Sequence, residues 1–456
     1  MMQNEAIFQK SAWKAIFSLS IPSLISIVVM MLYNMADMYF VGWIGDYSQV
    51  AAVSLAMPVF SILMAVSTMI GNGGCTKIAQ ALGQHNRERV QSYSALCVWS
   101  SIVFGVVFAI ACFLFCDPLL RFLGANEEMW DYTKSYLLIL AAGAPVILLN
   151  HSLGGALRGE GEIKAGMLGG MLATAANIIL DPVFIILLRL GVSGAAIATV
   201  LGNAIAVIYY FVYKAKSKTD CIIELRPSYA RDMRALGSIL ALGLPNAISS
   251  ILSGFASTFS NQILVRYGSA AVAAMAAAGK AIMVTSMVQM GICMGIQPLL
   301  AYCYGSGDYR RLKEILQKVA ILTTLLGTLL TFFIYFGREW VIGLFIKDAD
   351  VIALGAHLVA YQLLMGPFIG IYYLATNFLQ AGGNATGASI ASALRQGLLL
   401  IPLLYLLSGL FQLEGLAIAH PVADGIAILF TGAMSLYYYR RITVQQNKNS
   451  ASIPAD

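Results

Sequence analysis

The stretch IVFGVVFAIACFL (Ile102–Leu114) contains thirteen successive residues without a charged side chain. Strands of an outer-membrane barrel would alternate apolar and polar residues over about ten positions. Neither this stretch nor Ile197–Val212 shows that alternation. Apolar stretches of roughly 20 residues or more recur along the chain, and each is long enough, as a helix, to cross about 30 Å of hydrocarbon. The pattern predicts an all-α membrane protein.

The composition supports the same prediction. Of the 456 residues, 59% are hydrophobic and only 11% are charged, and the mean hydropathy is +0.78. A soluble domain of this size needs more polar surface, so we expect the chain to lie in a bilayer. Twelve transmembrane helices are predicted, at residues 13–41, 50–76, 92–116, 132–157, 165–188, 192–214, 237–266, 270–302, 314–337, 353–380, 388–408 and 414–439.

The longest polar stretch, KAKSKTDCIIELRPSYARDMR (Lys214–Arg234), separates the first six spans from the last six. We interpret it as a linker between two lobes. The predicted organisation is an N-lobe at 1–213, a cytoplasmic linker at 214–236, a C-lobe at 237–439 and a cytoplasmic tail at 440–456.

The two halves also resemble each other. A shift of 222 or 223 positions aligns Leu19–Pro22 with Leu242–Pro245 and Gly83 with Gly305. Because six is an even number of spans, both halves enter the membrane from the same side, which predicts two six-helix lobes related by a pseudo-two-fold axis along the membrane normal. A substrate path between the halves follows from that arrangement.

Lysine and arginine are unevenly distributed over the loops. If the N-terminus is cytoplasmic, most of them lie inside, and the outside segments hold only Arg121, Lys134, Arg189, Arg266, Arg338 and Lys347. The positive-inside rule therefore predicts that both termini are cytoplasmic. The formal charge of +6 reflects this orientation, and dispersed basic residues without a binding fold predict no nucleic-acid partner.

Two aspartates lie inside predicted spans, where an ionisable group is costly and is a functional candidate by default. Asp37 lies in the first span and Asp181 in the fifth. Tyr33 and Asn177 each precede their aspartate by four residues, so each lies on the same helical face as its carboxylate. Such a pair suits a site that alternately binds a proton or a small cation. The alternative is that Asp181 caps a helix break at Pro182 and that Asp37 is solvated.

A second polar layer in the same half comprises Tyr136, Asn150, Thr199 and Asn203. These residues either extend the cation site or hydrogen-bond neighbouring helices, as such side chains also do in membrane bundles.

The second half has no matching pair of carboxylates. Its embedded charges are Lys280, Arg395 and Asp424. In one interpretation Asp424 neutralises Lys280 or Arg395, because an isolated charge is expensive in this medium. In the other, this charge network takes part in substrate release.

Methionines recur at helical spacing along the eighth span, at positions 283, 287, 290 and 294. Thioether side chains form the adaptable surfaces of promiscuous binders. Met283, Met287 and Met290 are therefore candidates for the lining of a substrate cavity, and core packing is the alternative.

No other sequence pattern indicates catalysis. Glu160 and Glu162 lie in a glycine-containing loop and are expected to be solvated turn residues. The seven cysteines and four histidines show no metal-ligand spacing, so we expect no cofactor, and no metal beyond a Na⁺ ion that could bind at Asp37 and Asp181. A nucleophile paired with a base is not recognisable either, so an enzyme is not predicted.

At these residues the chain resembles the MATE family, the multidrug and toxic compound extrusion transporters. The match rests on Pro22 followed by Asp37, on the loop GALRGEGEIKAG (Gly155–Gly166) and on NIILDP (Asn177–Pro182), and it covers essentially the whole length. Residue types and spacing also look like those of the DinF-like bacterial and archaeal branch and of the related staphylococcal type of exporter. The resemblance implies a V-shaped bundle, alternating access, and export of varied, often cationic, compounds in exchange for H⁺ or Na⁺.

The resemblance also implies a set of site residues. In DinF-like members the N-lobe cation site consists of residues matching Tyr33, Asp37, Tyr136, Asn177, Asp181 and Thr199, with Asn150 as a further member. NorM-type members place acidic ligands in the seventh and tenth helices, where this sequence has none, so that type of Na⁺ site is not expected. A bend of the first helix at the residue matching Pro22 has been proposed for the family, and a mid-membrane proline does weaken the local backbone ladder.

The sequence therefore predicts a secondary active multidrug exporter that contributes to antibiotic resistance. Its expected partners are amphipathic drugs or toxic metabolites and membrane lipids, and we expect a monomer in a bacterial or archaeal cytoplasmic membrane. The alternative function is a flippase for a lipid-linked substrate. A flippase would need a strongly cationic cavity, and Lys280 and Arg395 are the embedded cations available for one.

Overall fold

The computed structural model describes residues 6–42, 47–217 and 223–451, and within these ranges it describes all side chains except those of 6, 7, 32–42, 47, 50 and 445–451. The described residues form helices and connecting turns and contain no strand. The helices are α1 (Ala6–Gln9), α2 (Ala12–Gly42), α3 (Tyr47–Gly83), α4 (Arg87–Leu114), α5 (Cys116–Leu123), α6 (Glu127–Gly159), α7 (Ile163–Pro182), α8 (Gly191–Lys216), α9 (Met233–Leu264), α10 (Ser269–Gly305), α11 (Tyr309–Phe336), α12 (Arg338–Gly343), α13 (Ala349–Gln362), α14 (Ile369–Ala381), α15 (Ala385–Ala393) and α16 (Leu400–Ala451).

Short irregular turns connect or extend several of these helices. They are π-helical turns at Val183–Leu187 and Leu394–Leu398, and 3₁₀ turns at Pro227–Ala230, Val265–Tyr267 and Leu363–Met365.

Ten of the described helical segments are long and apolar enough to cross a membrane. The bent pair of Ala349–Met365 and Ile369–Ala381, whose axes differ by 44°, adds an eleventh. The segment Ala385–Val444 has 60 residues, and a helix of that length would be about 90 Å long, far more than one span needs. Non-helical backbone at Phe411 and Gln412 divides it in two. The predicted all-α membrane protein of twelve spans is thus confirmed.

The internal repeat is visible in the helix ends. Asn86 caps α4 and Asp308 caps α11, in each case by accepting a hydrogen bond from the backbone N–H three residues later. Positive φ angles recur with the same displacement of 222 or 223 residues, at His85 and Gly307, Gly161 and Gly383, and Arg189 and Gln412. Because capping and a left-handed turn fix where one helix stops and the next begins, the two halves have the same local chain path.

The contacts divide the chain into two compact units. Unit 1 contains Pro22–Ala247, and unit 2 contains Ser11–Ile21 and the chain from Ile248 onward. The chain passes between the units inside α2 and inside α9, so each of these helices contributes residues to both units. That residues 214–236 form a linker between an N-lobe and a C-lobe remains a prediction.

Close backbone contacts hold unit 1 together. A Cβ on Gly155 would lie 2.1 Å from the carbonyl oxygen of Gly71, and a Cβ on Gly159 would lie 2.6 Å from that of Cys75. Glycines at these positions let α3 and α6 approach closely, as small residues do in membrane bundles.

Gln289 organises unit 2 where α13 and α14 are bent. Its side chain is fully buried, donates to the Gly366 carbonyl oxygen at 2.7 Å and accepts from the Gly370 N–H at 2.7 Å. Backbone groups released at a break in a membrane helix need such partners, because hydrocarbon offers none.

Candidate functional site

Asp181 lies in the last turn of α7, and its side chain is fully buried in unit 1. The α-helix ends at Pro182, and the chain continues as the π-helical turn Val183–Leu187. Helix α8 approaches this part of α7 closely, because a Cβ on Gly202 would lie 2.7 Å from the Ala173 carbonyl oxygen. In this part of the structure the polar side chain of Thr199 on α8 lies next to Asn177.

Asn177 connects the carboxylate to α8. With its amide nitrogen turned toward Asp181, Asn177 donates to Asp181 Oδ2 at 2.8 Å, and its oxygen accepts from the backbone N–H of Thr199 at 3.0 Å and the Thr199 hydroxyl at 3.2 Å. This orientation satisfies both ends of the amide. Helical spacing predicted the neighbourhood of Asn177 and Asp181, and Thr199 completes a polar cluster around a buried carboxylate.

The second polar layer is joined to this cluster. Asn150 of α6 donates to Asn203 Oδ1 at 2.7 Å, and the Asn203 amide donates to the Thr199 carbonyl oxygen at 2.8 Å. A continuous set of hydrogen bonds therefore links α6, α7 and α8 through Asn150, Asn203, Thr199, Asn177 and Asp181. Both proposed roles of this layer, bonding helices and extending the site, are compatible with that geometry.

Tyr136 is also buried in unit 1, where it belongs to an apolar cluster with Val192 and Ala195 at the start of α8. Its ring thus lies near the N-terminal end of α8, the end that precedes Thr199 in the chain. Its role as a cation-site residue stays a prediction.

The remaining predicted members lie on α2. Tyr33 and Asp37 are in the helix Ala12–Gly42, but their side chains lie outside the described residues. Pro22 lies inside the same helix, at the point where the chain passes from unit 2 to unit 1. The Ser26 hydroxyl donates to the Pro22 carbonyl oxygen at 3.0 Å, which gives that carbonyl a local partner.

In unit 2, Asp424 pairs with Arg395. Arg395 Nε donates to Asp424 Oδ1 at 2.7 Å, and the two side chains are 12% and 22% exposed. The guanidinium also lies 4.9 Å from the ring centre of Tyr372 and donates to the Tyr373 hydroxyl at 3.4 Å. The other predicted member, Lys280, is exposed and forms no ion pair with the described residues, so the pairing alternative is resolved in favour of Arg395.

The methionine stripe of α10 is half-buried rather than part of the core. Met283, Met287 and Met290 are each partly exposed, whereas Thr285 and Gln289 on the neighbouring face are buried. Partial burial is compatible with both packing and a cavity lining, and the role of these methionines in a substrate cavity stays a prediction.

The loop after α6 contradicts one expectation. Glu160 was expected to be solvated, but its side chain is only 2% exposed. Glu162 is half-buried and accepts from the Tyr213 hydroxyl at 2.8 Å, and Arg158 donates to Asn72 Oδ1 at 3.3 Å. The expectation was wrong because the loop folds back against α3 and α8, where its charges are held by specific partners.

Sequence reasoning also missed Gln289. An amide in the middle of an apolar span is expensive unless it is hydrogen-bonded, and that cost was a usable signal. Among the described residues, no group of three or more His, Cys, Asp or Glu side chains could hold a metal ion.

Comparison with known proteins bears on the whole chain. The family model described as MatE matches residues 22–183 and again residues 245–406, a constant displacement of 223 positions that confirms the predicted repeat. The multidrug export protein MepA of Staphylococcus saprophyticus is 29% identical over 444 residues, which are 96% of this chain and 97% of that protein. MepA of a Staphylococcus aureus strain is 28% identical over 443 residues, again 96% of this chain and 97% of that protein.

Solved structures show the same fold. A crystal structure of a MATE protein in the bent conformation superposes with a TM-score of 0.90 at 24% identity, and the match covers 99% of this chain and 100% of the other. An outward-facing multidrug resistance MATE family transporter also gives 0.90 at 24% identity, over 97% of this chain and 99% of the other. The chain therefore belongs to the MatE family and is a membrane transporter rather than an enzyme.

Proposed function

We propose that this protein is a secondary active exporter of chemically varied, often cationic, small molecules. It exchanges them for H⁺ or Na⁺ by alternating access, without a cofactor. The relatives named multidrug export proteins, which match nearly the whole chain, support the substrate class. The observation that carries the proposed coupling is the buried carboxylate of Asp181 in its polar cluster.

The cluster suits reversible neutralisation. A charged carboxylate is costly inside a membrane protein, and a proton or a small cation removes that cost. Asn177 can turn its amide to suit either state, because one end of an amide donates and the other accepts. A neutralised cluster therefore prefers different hydrogen bonds from a charged one, and such a difference can shift a conformational equilibrium.

The proposed site comprises Asp37, Asp181, Tyr33, Asn177, Thr199, Tyr136 and Asn150, with Pro22 as the hinge of α2. Asp37 is included because it is a further carboxylate inside a span of the same unit. Met283, Met287 and Met290 are proposed to line the drug cavity. We further propose a monomer in a bacterial or archaeal cytoplasmic membrane, with both termini inside, in contact with lipid and with no nucleic-acid partner.

Drug efflux from proteoliposomes tests the coupling. Wild type, Asp181→Asn and Asp37→Asn are compared under separately imposed proton and sodium gradients. Glu314→Gln is the matched control, because it also converts a carboxylate to an amide but lies exposed on α11, beside Lys318. We expect both aspartate variants to lose gradient-driven efflux while eluting as folded protein. Efflux at the wild-type rate in both variants would refute the assignment.

The same experiment bears on the flippase alternative. A cavity for lipid-linked phosphates needs unpaired cations, and of the two embedded cations considered for it, Lys280 and Arg395, the second is neutralised by Asp424. Flipping of a lipid-linked substrate by Asp181→Asn without any gradient would favour that alternative.

A further inference from the structure

Lys77 interrupts a fully packed segment of α3. From Ile70 to Gly83 every residue of this helix is buried except Lys77, which is half-buried. A cation in such a segment is expected to have a counter-ion, because a partly desolvated charge is costly when it is unpaired. None of the described residues forms an ion pair with Lys77.

The side chain of Lys77 lines a cleft of about 280 Å³ within unit 1. Arg89, at the start of α4, and Arg234, at the start of α9, line the same cleft. Neither arginine forms an ion pair with the described residues. Three cations thus face one small space.

Among the described residues that line the cleft, Asp232 is the one carboxylate, and it already accepts hydrogen bonds. Asp232 Oδ1 accepts from the backbone N–H groups of Arg234 at 2.9 Å and Ala235 at 3.1 Å, and so caps α9. The hydroxyl of Ser92 donates to the Tyr229 carbonyl oxygen at 3.0 Å. The cleft therefore has a surplus of positive charge that its own acceptors do not neutralise.

The walls of the cleft are fixed by close packing. A Cβ on Gly73 would lie 2.0 Å from the Ile239 carbonyl oxygen, so α3 and α9 are in backbone contact. The segment before α9 is bound to α4, because Trp99 Nε1 donates to the Leu225 carbonyl oxygen at 3.1 Å. The helices that carry the three cations are thus held together in the absence of a ligand, which lowers the cost of binding an anion.

We propose that this cleft binds a phosphate group. Its volume is slightly below the range of about 300–1,000 Å³ that is typical of sites for drug-sized ligands, and it suits a small anion. Met233, whose side chain is 70% exposed, lies in the chain between Asp232 and Arg234, which both line the cleft. An exposed apolar side chain at this place favours a phosphate carried by a phospholipid, whose acyl chains it can contact. The predicted orientation places the cleft in the inner leaflet, where anionic lipids attract basic side chains.

Lipid retention by the full-length protein tests the proposal. Wild type, Lys77→Met and Arg89→Gln are purified in detergent, titrated with phosphatidylglycerol or phosphatidylcholine, and examined by native mass spectrometry. Lys164→Gln is the matched control, because Lys164 is an exposed cation of unit 1 on the same predicted side and does not line the cleft. A parallel titration adds inorganic phosphate as a competitor.

We expect phosphatidylglycerol to bind more tightly than phosphatidylcholine, and each cleft variant to weaken it about fivefold, the effect of one basic residue near a charged lipid surface. The control should bind as wild type does. Displacement of the lipid by inorganic phosphate would support the anion site and identify free phosphate as its occupant. Wild-type binding by Arg89→Gln, whose side chain is exposed, would overturn the proposal. An equal loss in Lys164→Gln would also overturn it.

Discussion

The ion pair of Arg395 and Asp424 can be tested by removing one charge. The variant Asp424→Asn keeps the shape of the side chain and one acceptor for the guanidinium, so packing is preserved and only the negative charge is lost. Arg395 then remains in unit 2, with Tyr372 and Tyr373 as its other neighbours.

The expected loss of stability lies between two limits. Exposed ion pairs contribute about 0–1 kcal/mol, and breaking a buried pair costs about 3–5 kcal/mol. The side chains here are 12% and 22% exposed and share one bond of 2.7 Å rather than two. The amide of the variant also retains one hydrogen bond, so we expect a loss of about 2 kcal/mol in the free energy of unfolding.

Thermal unfolding in detergent, followed by fluorescence-detected size exclusion, measures the loss. Lys280→Met is the control, because Lys280 is an exposed cation of the same unit that forms no ion pair with the described residues, and this variant should unfold close to wild type. The double variant Arg395→Met with Asp424→Leu removes both charges and should regain most of the stability. Efflux by this double variant separates the two interpretations, since a merely neutralising pair is dispensable for transport. An unchanged melting temperature for Asp424→Asn would refute the reasoning about the buried pair.

Two further predictions concern packing. Gly155→Ala should destabilise the protein by about 1–3 kcal/mol, because its Cβ would lie 2.1 Å from the Gly71 carbonyl oxygen, whereas a Cβ on Gly170 meets nothing within 4 Å. Gly170→Ala is therefore the control, and equal melting temperatures for the two variants would contradict the close approach of α3 and α6. Gln289→Leu should cost about 1–3 kcal/mol for each backbone group that loses its partner, and limited proteolysis should then cut near Gly366 and Gly370. Met290→Leu, on the adjacent half-buried position, should show neither effect.

Local patterns in the sequence predicted the fold well. Apolar runs and polar interruptions fix the spans of a membrane protein, because hydrocarbon admits only helices or closed barrels. The repeat was also predictable, since Leu19–Pro22 matches Leu242–Pro245 and Gly83 matches Gly305. In the structure, Asn86 and Asp308 cap matching helices at the same displacement. The position of Asn177 beside Asp181 was predictable from their spacing of four residues, because both residues lie on one helix.

Contacts between distant parts of the chain were less predictable. The burial of Glu160 depends on how its loop packs against other helices, and the loop sequence alone resembles a solvated turn. The choice of Arg395 rather than Lys280 as partner of Asp424 depends on the positions of α10, α16 and the π-helical turn that carries Arg395. Such pairings require the tertiary structure, because many helical arrangements satisfy the same apolar pattern.

The chain passes between the two packing units inside the first helix of each repeat. Helix α2 passes from unit 2 to unit 1 at Pro22, and α9 passes from unit 1 to unit 2 two residues beyond Pro245. A proline leaves the helix without one backbone hydrogen bond, so bending near these two transitions is cheaper than in a helix without proline. Asp37 lies on α2, whereas the matching position of α9 is Ser260. Of these two helices, only α2 therefore carries a carboxylate at this position. In the proposed mechanism, neutralisation of Asp37 thus acts directly on a helix that belongs to both units.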